Sequence, residues 1–116
     1  MSTVPDVLKS RMMLLQNENP LLTFEDDSMD TELGTRALIR VLHGDEMIAL
    51  EFVEPEEMWQ ELDVMEEYTE TVEGGLEVTV IVPGDEKEDA EAELGQEGSI
   101  RVLGYDEIGS SLRYSQ

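Results

Sequence analysis

His43 stands two residues before Asp45, the one place in this chain where an imidazole could act as a general base with a carboxylate to orient it. No nucleophile or second catalytic group accompanies the pair. The run His43-Gly44-Asp45-Glu46 has the composition of a polar turn. Because His43 is the single histidine, metal sites built from two or more histidines are excluded. Cysteine is absent, which excludes a thiolate zinc site, a cysteine nucleophile and a disulfide frame. The glycines form neither GxGxxG nor a Gly-rich loop followed by Lys-Ser or Lys-Thr, so no phosphate cradle is written here. The reading is a non-enzymatic protein with no catalytic residues, no dedicated metal site and no cofactor.

The remaining chemistry is carboxylate. Asp and Glu number 29 against 7 Lys and Arg, a formal charge of −22. Residues 51–97 alone hold eighteen acids and one base, Lys87. Asp85, Glu86, Glu88, Asp89, Glu91 and Glu93 are dense, but they lack the spaced ligands, central glycine and terminal glutamate of a calcium loop. Their spacing fits a charged surface better. Glu57 and Glu61 fall one helical turn apart, about 5–6 Å between Cβ atoms, with Glu56, Asp63 and Glu67 on neighbouring ridges. Carboxylates held in a row imitate the phosphates of a nucleic acid, whose duplex carries about one charge per 1.7 Å. The predicted partner-facing set is therefore Glu56, Glu57, Glu61, Asp63, Glu67, Asp85, Glu86, Glu88, Asp89, Glu91 and Glu93.

A surface of this sign opposes direct binding to nucleic acid or an anionic membrane, since phosphate contacts need Lys and Arg. Its complement is a basic protein, a nuclease or another nucleic-acid-handling partner. DNA mimics, immunity proteins against nuclease toxins and anti-defence inhibitors share this physical type. Adaptation to high salt is an alternative source of the charge. Only two lysines, Lys9 and Lys87, stand against five arginines, which fits a lysine-poor surface. A third possibility is a small ligand-binding domain with its site between sheet and helix.

The elements that must carry these residues follow from periodicity. Ser2 and Thr3 are both candidate N-caps, and Pro5 opens a helix over 5–16, with Val7, Leu8, Met12 and Leu15 on one side. Leu21 to Phe24 reads as a short strand or anchor, and 25–34 as an acidic loop. Two apolar runs over 37–53 flank Gly44-Asp45 and predict a hairpin. In its simplest register Ala37, Ile39 and Val41 share a face with Ile48, Leu50 and Phe52. Pro55 starts a second helix with Met58, Trp59, Leu62 and Met65 inward. A second hairpin is expected around Gly74-Gly75, pairing 69–73 with 76–82. An acidic connection with one helical turn near 90–94 leads to a last strand over 99–103.

These elements give an α+β fold: an antiparallel sheet of about five strands, two hairpins plus a short strand, with two helices packed on one face. The core is expected from Ile39, Val41, Ile48, Leu50, Phe52, Trp59, Leu62, Val78 and Val80. One acidic domain over 1–104 carries a loosely held tail over 105–116. The start of the chain lacks the basic and apolar regions of a signal peptide, and no apolar run approaches a membrane span. A soluble, cytoplasmic protein is expected, monomeric or, if Leu38, Leu42 and Met47 form an exposed patch, homodimeric.

Overall fold

The structure is a computed structural model that describes residues 3–96 and 98–114, so the candidate cap Ser2 lies outside the described residues. Helix α1 (Val4–Glu18) leads into three strands, β1 (Thr23–Thr31), β2 (Gly34–His43) and β3 (Glu46–Val53). Helix α2 (Leu62–Glu73), strand β4 (Glu77–Val82), helix α3 (Lys87–Leu94) and strand β5 (Ile100–Gly104) follow, with short 3-10 turns at Met58–Gln60, Gly84–Glu86 and Tyr105–Glu107. All five strands join one sheet in the order β1-β2-β3-β4-β5.

The fold is α+β with five strands, as read from the sequence, but the sheet is mixed and the described helices number three. Strands β1 to β3 form an antiparallel meander, whereas β3, β4 and β5 run parallel. The difference lies in residues 69–73, expected as a strand. They are the last turns of α2, whose Val64 and Tyr68 are buried one turn apart. Gly74 and Gly75 therefore stop a helix, with Gly75 at φ +90, rather than turning a hairpin. A helix between two strands forces a crossover, and crossovers return the chain parallel.

Helices α2 and α3 cover one face, burying Phe52, Trp59, Val64, Tyr68, Val80, Ala90 and Val102 together. Helix α1 covers the other, over Leu15, Phe24, Ile39, Val41 and Ala49 at one end and Val7, Val53, Ile81 and Leu103 at the other. The second helix begins at Leu62 instead of Pro55, and Leu62 itself is 77% exposed rather than in the core. Ile48 and Leu50 are only half-buried; the other expected core residues are buried. Residues 23–31, read mostly as loop, form the edge strand β1.

The predicted β2–β3 turn is present, with His43 opposite Glu46 and Leu42 opposite Met47. A bulge after these pairs then shifts the register by one, so that Val41, Ile39 and Ala37 oppose Ala49, Glu51 and Val53. The expected partners Leu50 and Phe52 lie on the opposite face, toward α2. The consequence is chemical: Glu51 turns inward under α1.

Arg11 of α1 meets Glu51 there with both groups fully buried, through Nε–H to Oε1 at 2.7 Å and Nη2–H to Oε2 at 2.9 Å. The same guanidinium donates to the carbonyls of Ile108, Ser110 and Ser111. The Tyr114 hydroxyl also donates to Glu51, and Asn19 holds both Leu112 O and Tyr114 N–H. Residues 105–114, expected to hang loosely, instead lie beside α1, fastened by one buried arginine. Just past β3, buried Glu54 is held by Arg36 through two hydrogen bonds of 2.7 and 2.8 Å and by the Tyr68 hydroxyl. Tyr105 donates to the carbonyl of Glu54.

All three tyrosines are thus phenols set among carboxylates. Burial first, and adjoining glutamates second, raise the pKa of Tyr68, Tyr105 and Tyr114 above the ordinary 10.0. Since the unfolded chain loses these protons near pH 10 and the folded chain holds them, their contribution is fully present below that pH and declines above it. We expect the denaturant midpoint to fall as pH rises past 10, with phenolate absorbance appearing only as the chain unfolds. Phenolate formation near pH 10 in a chain that stays folded would contradict this burial.

Candidate functional site

The acids with structural work are few and identifiable. Glu86 accepts the Trp59 Nε1–H and the Glu57 N–H, each at 2.9 Å, joining the turn at 58–60 to the one at 84–86. It holds Glu57 at φ 64, a left-handed conformation that costs on the order of 1–3 kcal/mol for a residue with a side chain. Glu67 is half exposed and accepts Arg36 Nη2–H at 2.7 Å. Burial works against the charged Arg36 guanidinium, yet hydrogen bonding and attraction to Glu54, then Glu67, outweigh it and raise the arginine's pKa further. These two of the eleven predicted partner-facing acids, Glu67 and Glu86, are committed to the fold.

The other nine are exposed: Glu56, Glu57, Glu61, Asp63, Asp85, Glu88, Asp89, Glu91 and Glu93. Glu56 and Asp85 stand at the carboxyl ends of the parallel strands. The remaining residues lie on α2, α3 or the turn before α2. Of these acids, only Glu91 has a cation within 4 Å among the described residues, Lys87 at 3.6 Å across one helical turn. Lys87 is shared with Glu107, whose carboxyl lies below its usual range because the Gly104 N–H and then Lys87 hold its charged form.

Three further exposed acids escape the sequence reading: Glu70 and Glu73, whose segment was read as a strand, and Glu66, which lay in the expected helix but outside the chosen set. With Asp63 they form one stripe on α2 at spacings of three, four and three. Val64, Tyr68 and Val72 occupy the opposite side and pack on the sheet. Ten residues at about 1.5 Å each place these four charges along roughly 15 Å. Asp89 and Glu93 of α3 border a shallow trough with Trp59 and Met65, and Met65 also lines a second trough bordered by Glu66, Glu70 and Glu73 of α2, so the two sets of acids flank one methionine. Leu62 projects among them.

This arrangement opposes helix stability. Neither α2 nor α3 has a base in its last turn. Glu70, Glu73, Glu91 and Glu93 instead sit toward helix C-termini, where the macrodipole disfavours negative charge. Asp63–Glu67, Glu66–Glu70 and Asp89–Glu93 are like-charged pairs one turn apart, each costing about 0.2–0.5 kcal/mol.

A larger cleft of about 640 Å³ opens where β3, β4 and β5 end, the usual ligand crevice of a parallel sheet. Glu56, Asp85, Asp106 and Thr35 line it. Among the described residues every buried side-chain nitrogen or oxygen already has a protein partner, and no three His, Asp or Glu side chains converge as metal ligands. His43 is an exposed residue at the β2–β3 tip. No described helix is long and apolar enough to cross a membrane.

No family model, curated protein or solved structure matches this chain.

Replacing Glu70 and Glu73 with glutamine should raise folding stability by about 0.5–1 kcal/mol at low ionic strength, with the gain shrinking as salt is added. Urea unfolding of the double variant provides the measurement; a loss of stability would show that these carboxylates support the helix.

Proposed function

We propose that this protein is a non-enzymatic acidic interaction protein whose α2/α3 face occupies the basic, nucleic-acid-binding surface of another protein, as an inhibitor or decoy. The observation that carries the reading is the α2 stripe of Asp63, Glu66, Glu70 and Glu73 beside Asp89 and Glu93 of α3, exposed, free of ion pairs and costly to both helices. One α2 charge per roughly 5 Å approaches the axial spacing of phosphates along a single DNA strand, about 3.4 Å. A groove lined with Lys and Arg would gain the same counterion-screened attraction from this face as from its nucleic acid. The repulsion among the acids is relieved in the same contact.

The apolar residues fit such an interface. Leu62 is exposed at the start of α2, and the half-buried Met65 lines the trough between the helices. An apolar centre ringed by charge gives a protein partner something a phosphate row lacks, and adds specificity to steering. Association should be fast at low salt and weaken steeply as salt rises. The same face repels nucleic acid itself.

The test uses a purified basic DNA-binding protein, duplex DNA and the full chain. Binding should be competitive with the duplex. The variant D63K/E66K/E70K/E93K should remain folded and lose at least about a hundredfold in affinity, since several charge pairs change sign at once. A folded variant that retains wild-type affinity would overturn the assignment of this face.

A further inference from the structure

Strand β1 ends the sheet, and it is long for an edge strand. Across its nine residues only Phe24 is buried. The backbone groups facing away from β2 are therefore open along most of its length, which is the feature that recruits an added strand. Natural edges are commonly blunted by shortness, proline, bulges or charged side chains. Here the pairing with β2 runs unbroken from Thr23 to Thr31, and the strand contains no proline.

Its charge decides which strand can pair. Glu25, Asp26, Asp27 and Asp30, with Glu32 in the following turn, are acidic, and no base lies between Thr23 and Leu33. A second copy would place like charges directly opposite one another, which destabilises a pairing. A lysine- or arginine-bearing strand would gain instead from cross-strand attraction on both faces of the sheet.

A second feature adjoins the edge. On the face toward α2, neither helix covers the outer strands, leaving a cleft of about 320 Å³. Met29, Leu38 and Phe52 give it apolar walls, while Arg36 also lines it and the carboxylates at its margin, Glu67 and Asp27, are paired with Arg36 and Arg40. Met29 is 57% exposed there. Apolar walls beside a guanidinium that is already paired match an aliphatic side chain, which in an extended segment alternates with residues facing Asp26 and Asp30 on the other side of the sheet.

We propose that β1 is a docking edge for an extended basic segment of a partner protein, which adds as a sixth strand, sets lysine or arginine side chains beside Asp26 and Asp30, and lays an aliphatic side chain into the Met29–Leu38–Phe52 cleft. This rests on the reading of a basic partner but uses a different surface from the α2/α3 face. Such a segment could extend from the same partner, so that one protein is gripped through a structured groove and a strand.

The probe is a blocked eight-residue peptide of alternating lysine and valine, compared with the same peptide N-methylated at alternate backbone nitrogens. Both carry equal charge, but the second cannot complete the edge hydrogen bonds. The unmodified peptide should slow hydrogen exchange in β1 and shift the resonances of Met29, Leu38 and Phe52. The methylated peptide should bind about tenfold more weakly, the loss expected for two or so net backbone hydrogen bonds. In the folded variant D26K/D30K the unmodified peptide should lose its β1 protection, whereas D63K/E66K/E70K/E93K should retain it. Equal affinity of the two peptides, or protection confined to α2 and α3, would overturn strand addition while leaving the α2/α3 reading standing. Protection of β1 by self-association without peptide would assign the edge to a second copy and overturn the proposal as well. Retained β1 binding together with failed capture of DNA-binding proteins would count against the α2/α3 reading alone.

Discussion

Strand β3 and the residue that follows it carry two buried carboxylates, and the rest of the molecule is arranged to neutralise them. Glu51 points toward α1 and receives Arg11, Tyr114 and, through Arg11, the carbonyls of residues 108, 110 and 111. Glu54 follows the strand and gathers Arg36 from β2 with Tyr68 from α2. The middle strand thereby fastens elements on both sheet faces through charge-assisted hydrogen bonds. A buried arginine–glutamate pair is not strongly stabilising compared with an apolar replacement, but removal of one partner leaves an uncompensated charge that costs about 3–5 kcal/mol. Such pairs make the arrangement specific: the tail lies beside α1 because Arg11 has donors left over for its carbonyls.

The same economy shapes the surface. Two of the seven bases, Arg11 and Arg36, are committed to interior glutamates. The remaining 27 acids then face five bases, and the surface retains the full net charge of the chain. Lys87 and Arg40 each meet acids near them, and Arg113 pairs with Glu18 at the tail. The long stripe on α2 has no such compensation. Its acids extend into the helix C-terminus, where charge of this sign works against the fold. Stability alone does not account for that placement; the proposed basic partner would. Edge strand β1 adds a second acidic border on the far side of the sheet.

Much of this was legible in the residues, and the failures have physical causes. The β2–β3 turn and the buried Ile39, Val41, Phe52, Trp59, Val78 and Val80 followed from apolar patterning. The register did not, because a sheet covered on both faces has apolar residues on both, and alternation cannot then choose between them. The bulge that turns Glu51 inward is set by its arginine on a distant helix. Gly74-Gly75 serves equally as a hairpin turn or a helix stop, and reading it as a turn hid the acids Glu70 and Glu73 along with the parallel half of the sheet. Strand β1 escaped because beyond Phe24 its residues are polar except Met29, so neither face shows an apolar alternation. The acidic helices were visible by composition. That Glu67 and Glu86 belong to the fold depends on Arg36, Trp59 and the Glu57 backbone, contacts between residues up to 31 positions apart.

If the acids serve a partner and the buried pairs hold the fold, the chain must fold without salt to screen it, despite its self-repulsion. Adaptation to high salt requires the opposite. Thermal unfolding followed by circular dichroism, in dilute buffer and in molar potassium chloride, separates the two. A cooperative transition already present in dilute buffer, moving only modestly with salt, is the expected result. A chain unfolded in dilute buffer and rescued by molar salt would contradict it and make the acidity an environmental trait.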